Sequence, residues 1–156
     1  MIQRKQTVYL LVAVIAYLVC LFMPIAHVTP DTMGAVTEVF NLGVVDANGT
    51  IQMEGTCFPL FLLLSVSTVL SVVTIFLYRN RKLQMTLCSI VLLFNLLWYV
   101  DFALLAFQVI ALPEVAGKFS MEIRAILPLV SFVLVLMAKK SIKADEDLIK
   151  AADRIR

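Results

Sequence analysis

The stretch from Leu83 to Leu112 constrains this chain more than any other. It begins after the basic turn Arg79-Asn80-Arg81-Lys82, stops at Pro113, and is apolar almost throughout. One bilayer crossing takes about 20 residues, so the stretch is long enough to span with some to spare. Within it stand Asp101, which is the one acid that reads as embedded in a span, and the polar or amphipathic side chains Asn95, Trp98, Tyr99 and Gln108. An ionisable group at membrane depth is costly and calls for a partner.

Composition supports a membrane setting. Hydrophobic residues make up 62% of the 156 and charged residues 15%, against about 45–50% and about 25% in an ordinary soluble domain. A soluble chain of this size lacks the interior to hide so much apolar surface. The charges are also segregated: no Lys or Arg lies between Lys5 and Arg79, and only Lys118 lies between Lys82 and Arg124.

Read in order, the chain gives four spans, at about 7–26, 57–78, 85–110 and 120–138, which form a transmembrane domain over 1–138. The first follows the basic start Arg4-Lys5 and has no small-x-small cleavage site after it, so it reads as an uncleaved span rather than a leader. The loop 27–56 carries four acids and no Lys or Arg. Val36 to Leu42 alternates imperfectly, Asn48-Gly49 is a strong hairpin dipeptide, and Ile51 to Glu54 offers a return strand. The reading is a small β-hairpin, which needs the helix ends or a partner beneath it to be stable.

The second span is rich in Ser and Thr, which suit close helix packing. Pro128 is expected to bend the fourth, because a proline inside a helix removes a backbone donor. The tail 139–156 is charged with both signs and carries Leu148, Ile149, Ala152 and Ile155 at helical spacing. It reads as an interfacial helix, a handle for a partner, or a weakly ordered segment that fixes topology.

Of the 13 basic residues, all but Lys118 and Arg124 fall on one side of this four-span scheme. The positive-inside rule then places both termini in the cytoplasm. The fold class is an all-α membrane protein: a four-helix transmembrane bundle with a small extracytoplasmic β-hairpin and a cytoplasmic C-terminal amphipathic helix.

Depth arithmetic suggests how the embedded acid is satisfied. Asp101 lies 19 residues beyond Lys82 and Arg124 lies 15 before Lys139, which is roughly 28 Å and roughly 22 Å of helix. An Asp101–Arg124 ion pair is the expectation, with Glu122 competing for the arginine. Asn95, Trp98, Tyr99 and Gln108 then either glue the bundle together or line a pocket between helices. His27, the sole histidine, stands at the outer mouth with no metal-ligand spacing around it.

Cys20, Cys57 and Cys88 show no ligand spacing and no disulfide framework. There is no phosphate-binding glycine loop, no zincin motif and no Gly-x-Ser-x-Gly elbow. No catalytic residue, cofactor or metal site is therefore assigned. The tail mixes acids with its bases and has no aromatic interleaving, so no nucleic-acid partner is expected.

Two stretches and the N-terminus carry a resemblance. The opening Met1 to Leu10 (MIQRKQTVYL), the turn Arg79 to Gln84 (RNRKLQ) and the close Ile142 to Arg156 (IKADEDLIKAADRIR) resemble a family of small four-span inner-membrane proteins of Bacteroidota, a domain of unknown function (DUF4293-like). The resemblance covers the whole chain and implies the bacterial inner membrane. It implies no reaction or ligand. In outline the chain is also similar to the claudin-like tetraspan proteins, but its first outer loop has no tryptophan and a single cysteine, Cys57, at its end. That likeness stops at architecture.

Two functional readings result. The first is a non-enzymatic accessory protein in contact with membrane lipids, which binds a protein partner through its outer hairpin or its tail. The alternative is an oligomeric channel or small-solute or lipid transporter subunit that uses the polar residues of spans two and three. A lipid-handling enzyme built on Asp101 or His27 is disfavoured, since no acid–base pair can be assembled.

Overall fold

The computed structural model describes residues 5–30, 36–45, 49, 51–78, 80–107 and 117–154. Among them are four long helices: α1 (Lys5–Phe22), α2 (Phe58–Phe76), α3 (Arg81–Ala106) and α4 (Leu127–Arg154). All four are long and apolar enough to cross a membrane. Each packs on its neighbours in sequence, and α4 closes the ring against α1. The buried seam is narrow, running through Leu10, Ala13, Tyr17, Leu60, Leu64, Val91, Trp98 and Val135, while Leu, Val and Phe side chains stay exposed around the outside. A helix that is apolar on its outward face as well suits a hydrocarbon solvent.

Five short strands sit at one end: β1 (Ala26–Pro30), β2 (Thr37–Val39), β3 (Gly43–Val45), β4 (Ile51–Met53) and β5 (Gly117–Met121). They form one antiparallel sheet in the order β4-β3-β2-β1-β5. The expected return strand is there as β4, but it pairs with β3 (Val45 opposite Ile51) rather than with Val36–Leu42, which gives β2 and the turn after it; Gly49, between β3 and β4, takes φ +77°, a conformation open to glycine. The sheet is larger than a hairpin, however. The connection between the third and fourth helices, read as a short loop, supplies β5, and β5 pairs with β1 along its whole length from Ala26↔Met121 to Pro30↔Gly117. The two loops at this end are thus one structure. A hairpin alone would be marginal; here three further strands and the helix ends support it.

The helix bounds differ from the predicted spans for the same reason. Residues after Phe22 leave α1 and enter β1, and 117–126 forms β5 and a 3₁₀ turn (Ile123–Ile126) before α4 begins. Pro128 therefore does not bend a helix. It is the second residue of α4, where the missing N–H would have had no intrahelical partner in any case. Pro59 plays the same part at the start of α2.

At the other end, the charged tail is not a separate helix. α4 continues from the bundle without a break to Arg154, and its Ile142 is fully buried in the core. Gln84 also works at this end. Its Nε2 donates to the Thr74 carbonyl at 3.0 Å, satisfying one of the carbonyls that the end of α2 leaves open.

Candidate functional site

The polar side chains of α3 draw the sheet end together. Trp98 is wholly buried, stacks on Phe102 with ring centroids 5.2 Å apart, and donates its indole N–H to Asn41 Oδ1 at 3.0 Å. Asn41 lies in the turn between β2 and β3, and its Nδ2 donates to the Cys20 carbonyl at 2.7 Å. That carbonyl belongs to the last turn of α1, where no helical N–H follows to meet it. A single buried amide thus caps α1 and ties it through Trp98 to α3.

One turn deeper, Asn95 Nδ2 donates to the Tyr17 hydroxyl at 2.8 Å and to the Pro128 carbonyl at 2.9 Å, so α1, α3 and α4 meet at one side chain. Tyr99 donates its hydroxyl to the Ala125 carbonyl at 2.9 Å, and Ser131 of α4 donates to the Ala13 carbonyl at 3.2 Å. A buried polar group left unpaired costs about 4 kcal/mol; these bonds spare the donors concerned that cost and fix which helix lies beside which.

Of the four residues read as glue or pocket, Asn95 and Trp98 are therefore glue. Tyr99 does both. Its hydroxyl is tied to Ala125, and its ring lines a cavity of about 530 Å³ between α3 and the start of α4. Gln108 lies outside the described residues. The hydroxyls of α2 form no polar track: Ser67, Thr68, Ser71 and Thr74 each donate to the carbonyl four residues back in their own helix.

The Asp101–Arg124 ion pair is not made. Asp101 Oδ2 is buried without a hydrogen-bond partner among the described residues, and the ion pairs found there are His27–Glu122 and Lys150–Glu146. The depth argument treated 124 to 139 as one continuous helix, but 123–126 forms a separate 3₁₀ turn ahead of α4, and equal depth does not fix which way a side chain on that turn faces. Asp101 instead stands near the start of α2. There it shares the surroundings of Cys57 with Glu54. No side chain caps the N-terminus of α2, and a carboxylate nearby complements the positive end of the helix dipole.

His27 and Glu122 were both in view in the sequence, but not as partners. Strand pairing sets His27 opposite Ser120, and the His27 Nε2 meets Glu122 Oε1, a residue 95 positions away. A second tie stands beside it: Glu122 N–H donates to the Ile25 carbonyl at 3.0 Å. Among the described residues no group of three metal-ligating side chains forms around His27.

On the tail, Leu148 is 70% exposed and Ile149 48%. Ala152 lies on the same helix, and Ile155 falls outside the described residues. Lys150 Nζ bonds Glu146 at 2.8 Å. That bond first, and then the charges of Lys82 and Arg81, hold the Glu146 carboxyl below its usual range. The tail therefore passes close to the basic start of α3.

No curated protein matches the sequence. A family model does, described as "Domain of unknown function (DUF4293)", and it matches residues 2–155, from the basic N-terminus to the end of the tail helix. A chain matched over nearly its whole length, including the sheet-forming loops and the charged tail, belongs to the DUF4293 family.

Proposed function

We propose that this chain is a multi-pass protein of the bacterial inner membrane, with both termini in the cytoplasm and the sheet outside, and that it acts as a non-enzymatic accessory subunit for a protein partner. The charge distribution supports the orientation: among the described residues, Lys118 and Arg124 are the only Lys or Arg at the sheet end.

The observation that carries the accessory role is the run of α4. It leaves the bundle after Ile142 and continues as helix to Arg154, with Leu148 and Ile149 bare among charges of both signs. An apolar pair on a rigid charged helix fits a groove on a partner, the charges setting its register. The four-stranded part of the sheet ends on β4, whose Met53 is also exposed, and that edge is the second place for a partner to add.

A channel or transporter subunit is the alternative, and one observation favours it: the unpartnered Asp101 Oδ2, which a second copy of the chain would be able to satisfy. Ser67, Thr68, Ser71, Thr74, Trp98 and Tyr99 spend their donors inside the monomer, which weighs against a solute path, while Ser65 Oγ and Asn95 Oδ1 are buried without a partner among the described residues. Affinity purification of the tagged full-length chain in nanodiscs separates the two. A stoichiometric protein partner that is lost from Leu148→Ser/Ile149→Ser supports the accessory reading. A homo-oligomer with no other protein bound, dispersed by Asp101→Asn, replaces it with the alternative.

A further inference from the structure

The junction at Asn95 sets a common level for three of the four helices, and the charges at the far end of the bundle stand at one distance from it. Asn95 bonds Tyr17 of α1 and the Pro128 carbonyl at the start of α4. Away from the sheet, Lys5 lies 12 residues before Tyr17, Lys82 and Arg81 lie 13 and 14 before Asn95, and Lys139, Lys140 and Lys143 lie 11, 12 and 15 after Pro128. Each of these stretches is unbroken α-helix. At about 1.5 Å per residue, the six cations stand between about 17 and about 23 Å from the junction, within about one helical turn of one another.

They form a band rather than a patch. α3 packs on α4 and α4 on α1, so the band covers three consecutive sides of the bundle. Lys5, Lys82, Lys140 and Lys143 are exposed, and Arg81 and Lys139 half-buried. No acid shares the level: α1 and α2 contain none, α3 has none before Asp101, and the first on α4 past Pro128 is Asp145, beyond Lys143. None of the six makes an ion pair among the described residues; Glu146, which approaches Arg81 and Lys82, gives its bond to Lys150. From this level toward the sheet the outward residues are apolar, among them Leu11, Val12, Leu93 and Leu136. The band therefore marks the edge of the apolar surface. On the membrane reading, on which this inference rests, that edge lies at the headgroups of one leaflet.

We propose that this band binds anionic phospholipid, whose phosphates are received by the exposed Lys5, Lys82, Lys140 and Lys143. Cations around three sides of a bundle suit a ligand that surrounds it, whereas a protein partner covers one side. A cation at the membrane surface favours an anionic headgroup by a factor of about five. A zwitterionic headgroup brings its own ammonium to the same lysines and gains little from them.

The test uses the full-length chain in phosphatidylcholine vesicles that carry a trace of spin-labelled phosphatidylglycerol or, in a parallel sample, of spin-labelled phosphatidylcholine. The fraction of each label immobilised at the protein surface measures the preference. A chain that does not float with the vesicles overturns the membrane reading and this inference together. For a chain that floats, phosphatidylglycerol should be preferred about fivefold at low salt, the factor that one surface cation supplies, and the preference should vanish in about 1 M salt. The triple variant Lys82→Gln/Lys140→Gln/Lys143→Gln should lose most of the preference, and Lys118→Gln/Arg124→Gln at the sheet end should keep it. The salt series on the unaltered chain decides where a variant does not reconstitute. Equal immobilisation of the two lipids at low salt, a preference that salt leaves unchanged, or a preference kept by the triple variant overturns the band and leaves the membrane reading standing.

Discussion

α2 and α3 are both apolar helices that bury polar side chains, yet they use them in opposite ways. In α2, each of Ser67, Thr68, Ser71 and Thr74 returns its proton to its own backbone. In α3, Asn95, Trp98 and Tyr99 reach α1, α4, the turn ahead of α4 and the turn between β2 and β3. The difference follows from reach. A hydroxyl one carbon from the backbone can find an acceptor four residues back and then presents a small, neutral surface. An amide, an indole or a phenol extends past its own helix and must find its partner elsewhere. Short polar groups therefore let α2 pack closely on any complementary face, whereas long ones make α3 specify its neighbours.

The comparison breaks first at Trp98. Truncation to Ala removes the largest buried side chain of the molecule and leaves the Asn41 oxygen without its donor. A loss of about 3–5 kcal/mol is expected for a buried Trp→Ala change, read as a fall in the thermal midpoint of the chain in nanodiscs. Trp98→Phe keeps most of the volume and loses the bond, and should cost about 1–3 kcal/mol. If the two variants are equally destabilised, the bond to Asn41 carries the effect and packing does not.

Gly43 tests whether α3 depends on the sheet to hold Asn41 in place. A Cβ there would meet the Gln52 carbonyl oxygen at 2.0 Å, and that atom is backbone in the paired strand, so it cannot swing aside. Gly43→Ala should force β3 and β4 apart at about 1–3 kcal/mol, the usual range for overpacking. Through Asn41, two residues earlier, it should also raise hydrogen exchange at the end of α1. Exchange raised in β3 and β4 alone would show that the Asn41 turn is held by the helices instead.

Asn95→Leu removes both interhelical bonds at that level. Hydrogen bonds between helices in a bilayer are worth about 1 kcal/mol, within a range of roughly 0.6–2, so a midpoint shift smaller than that of Trp98→Ala is expected. Ser67→Ala and Ser71→Ala sharpen the contrast from the other side. Each deletes a bond that the helix carbonyl does not need, and each should stay within about 0.5 kcal/mol of the parent. A serine variant as damaging as Asn95→Leu would abolish the distinction between the two helices.

What the sequence made legible divides along the same line. Local signals sufficed for four apolar helices and for the β3–β4 turn at Asn48-Gly49, because hydropathy and turn chemistry reside in neighbouring residues. Long-range pairing was not legible. Gly117 to Met121 has no strand alternation strong enough to announce β5, and its partner β1 is some 90 positions earlier; nothing local connects His27 to Glu122. Asn41 looked like one more residue of an alternating strand, when it is a buried turn amide that caps a helix. Its one signal was the Gly two residues on, which marks a tight turn. The Asp101–Arg124 pairing failed because a depth count gives height and not direction, and Arg124 lies on a separate 3₁₀ turn ahead of α4 rather than on the helix itself. The cavity between α3 and the start of α4 followed from none of these patterns, since its lining is drawn from segments some 20 positions apart.

The smallest expected effect lies farthest from α3, on the tail. Glu146 and Lys150 form a pair one helical turn apart, with Lys150 exposed and the Glu146 side chain mostly covered. The Glu146 carboxyl is lowered by that bond, so its contribution is present above the unfolded carboxylate range and is lost as the pH falls through the folded value. The Lys150 ammonium is raised by the same bond, so its contribution is present below the unfolded lysine range and is lost as the pH rises through the folded value. The pair should therefore support the last turns of α4 between about pH 5 and about pH 10. Hydrogen-exchange protection factors at 146–154 should fall on the acid side of that window, and 1 M salt should flatten the dependence, since a pair with an exposed partner is screened. Glu146→Gln should remove the acid limb while leaving the exchange of 127–142 unchanged, because those residues are held by the bundle whatever the state of Glu146. Protection at 127–142 that follows the pH of the tail would mean instead that the contact of Glu146 with the basic start of α3 is part of the bundle, and that the tail is anchored to it rather than free to meet a partner.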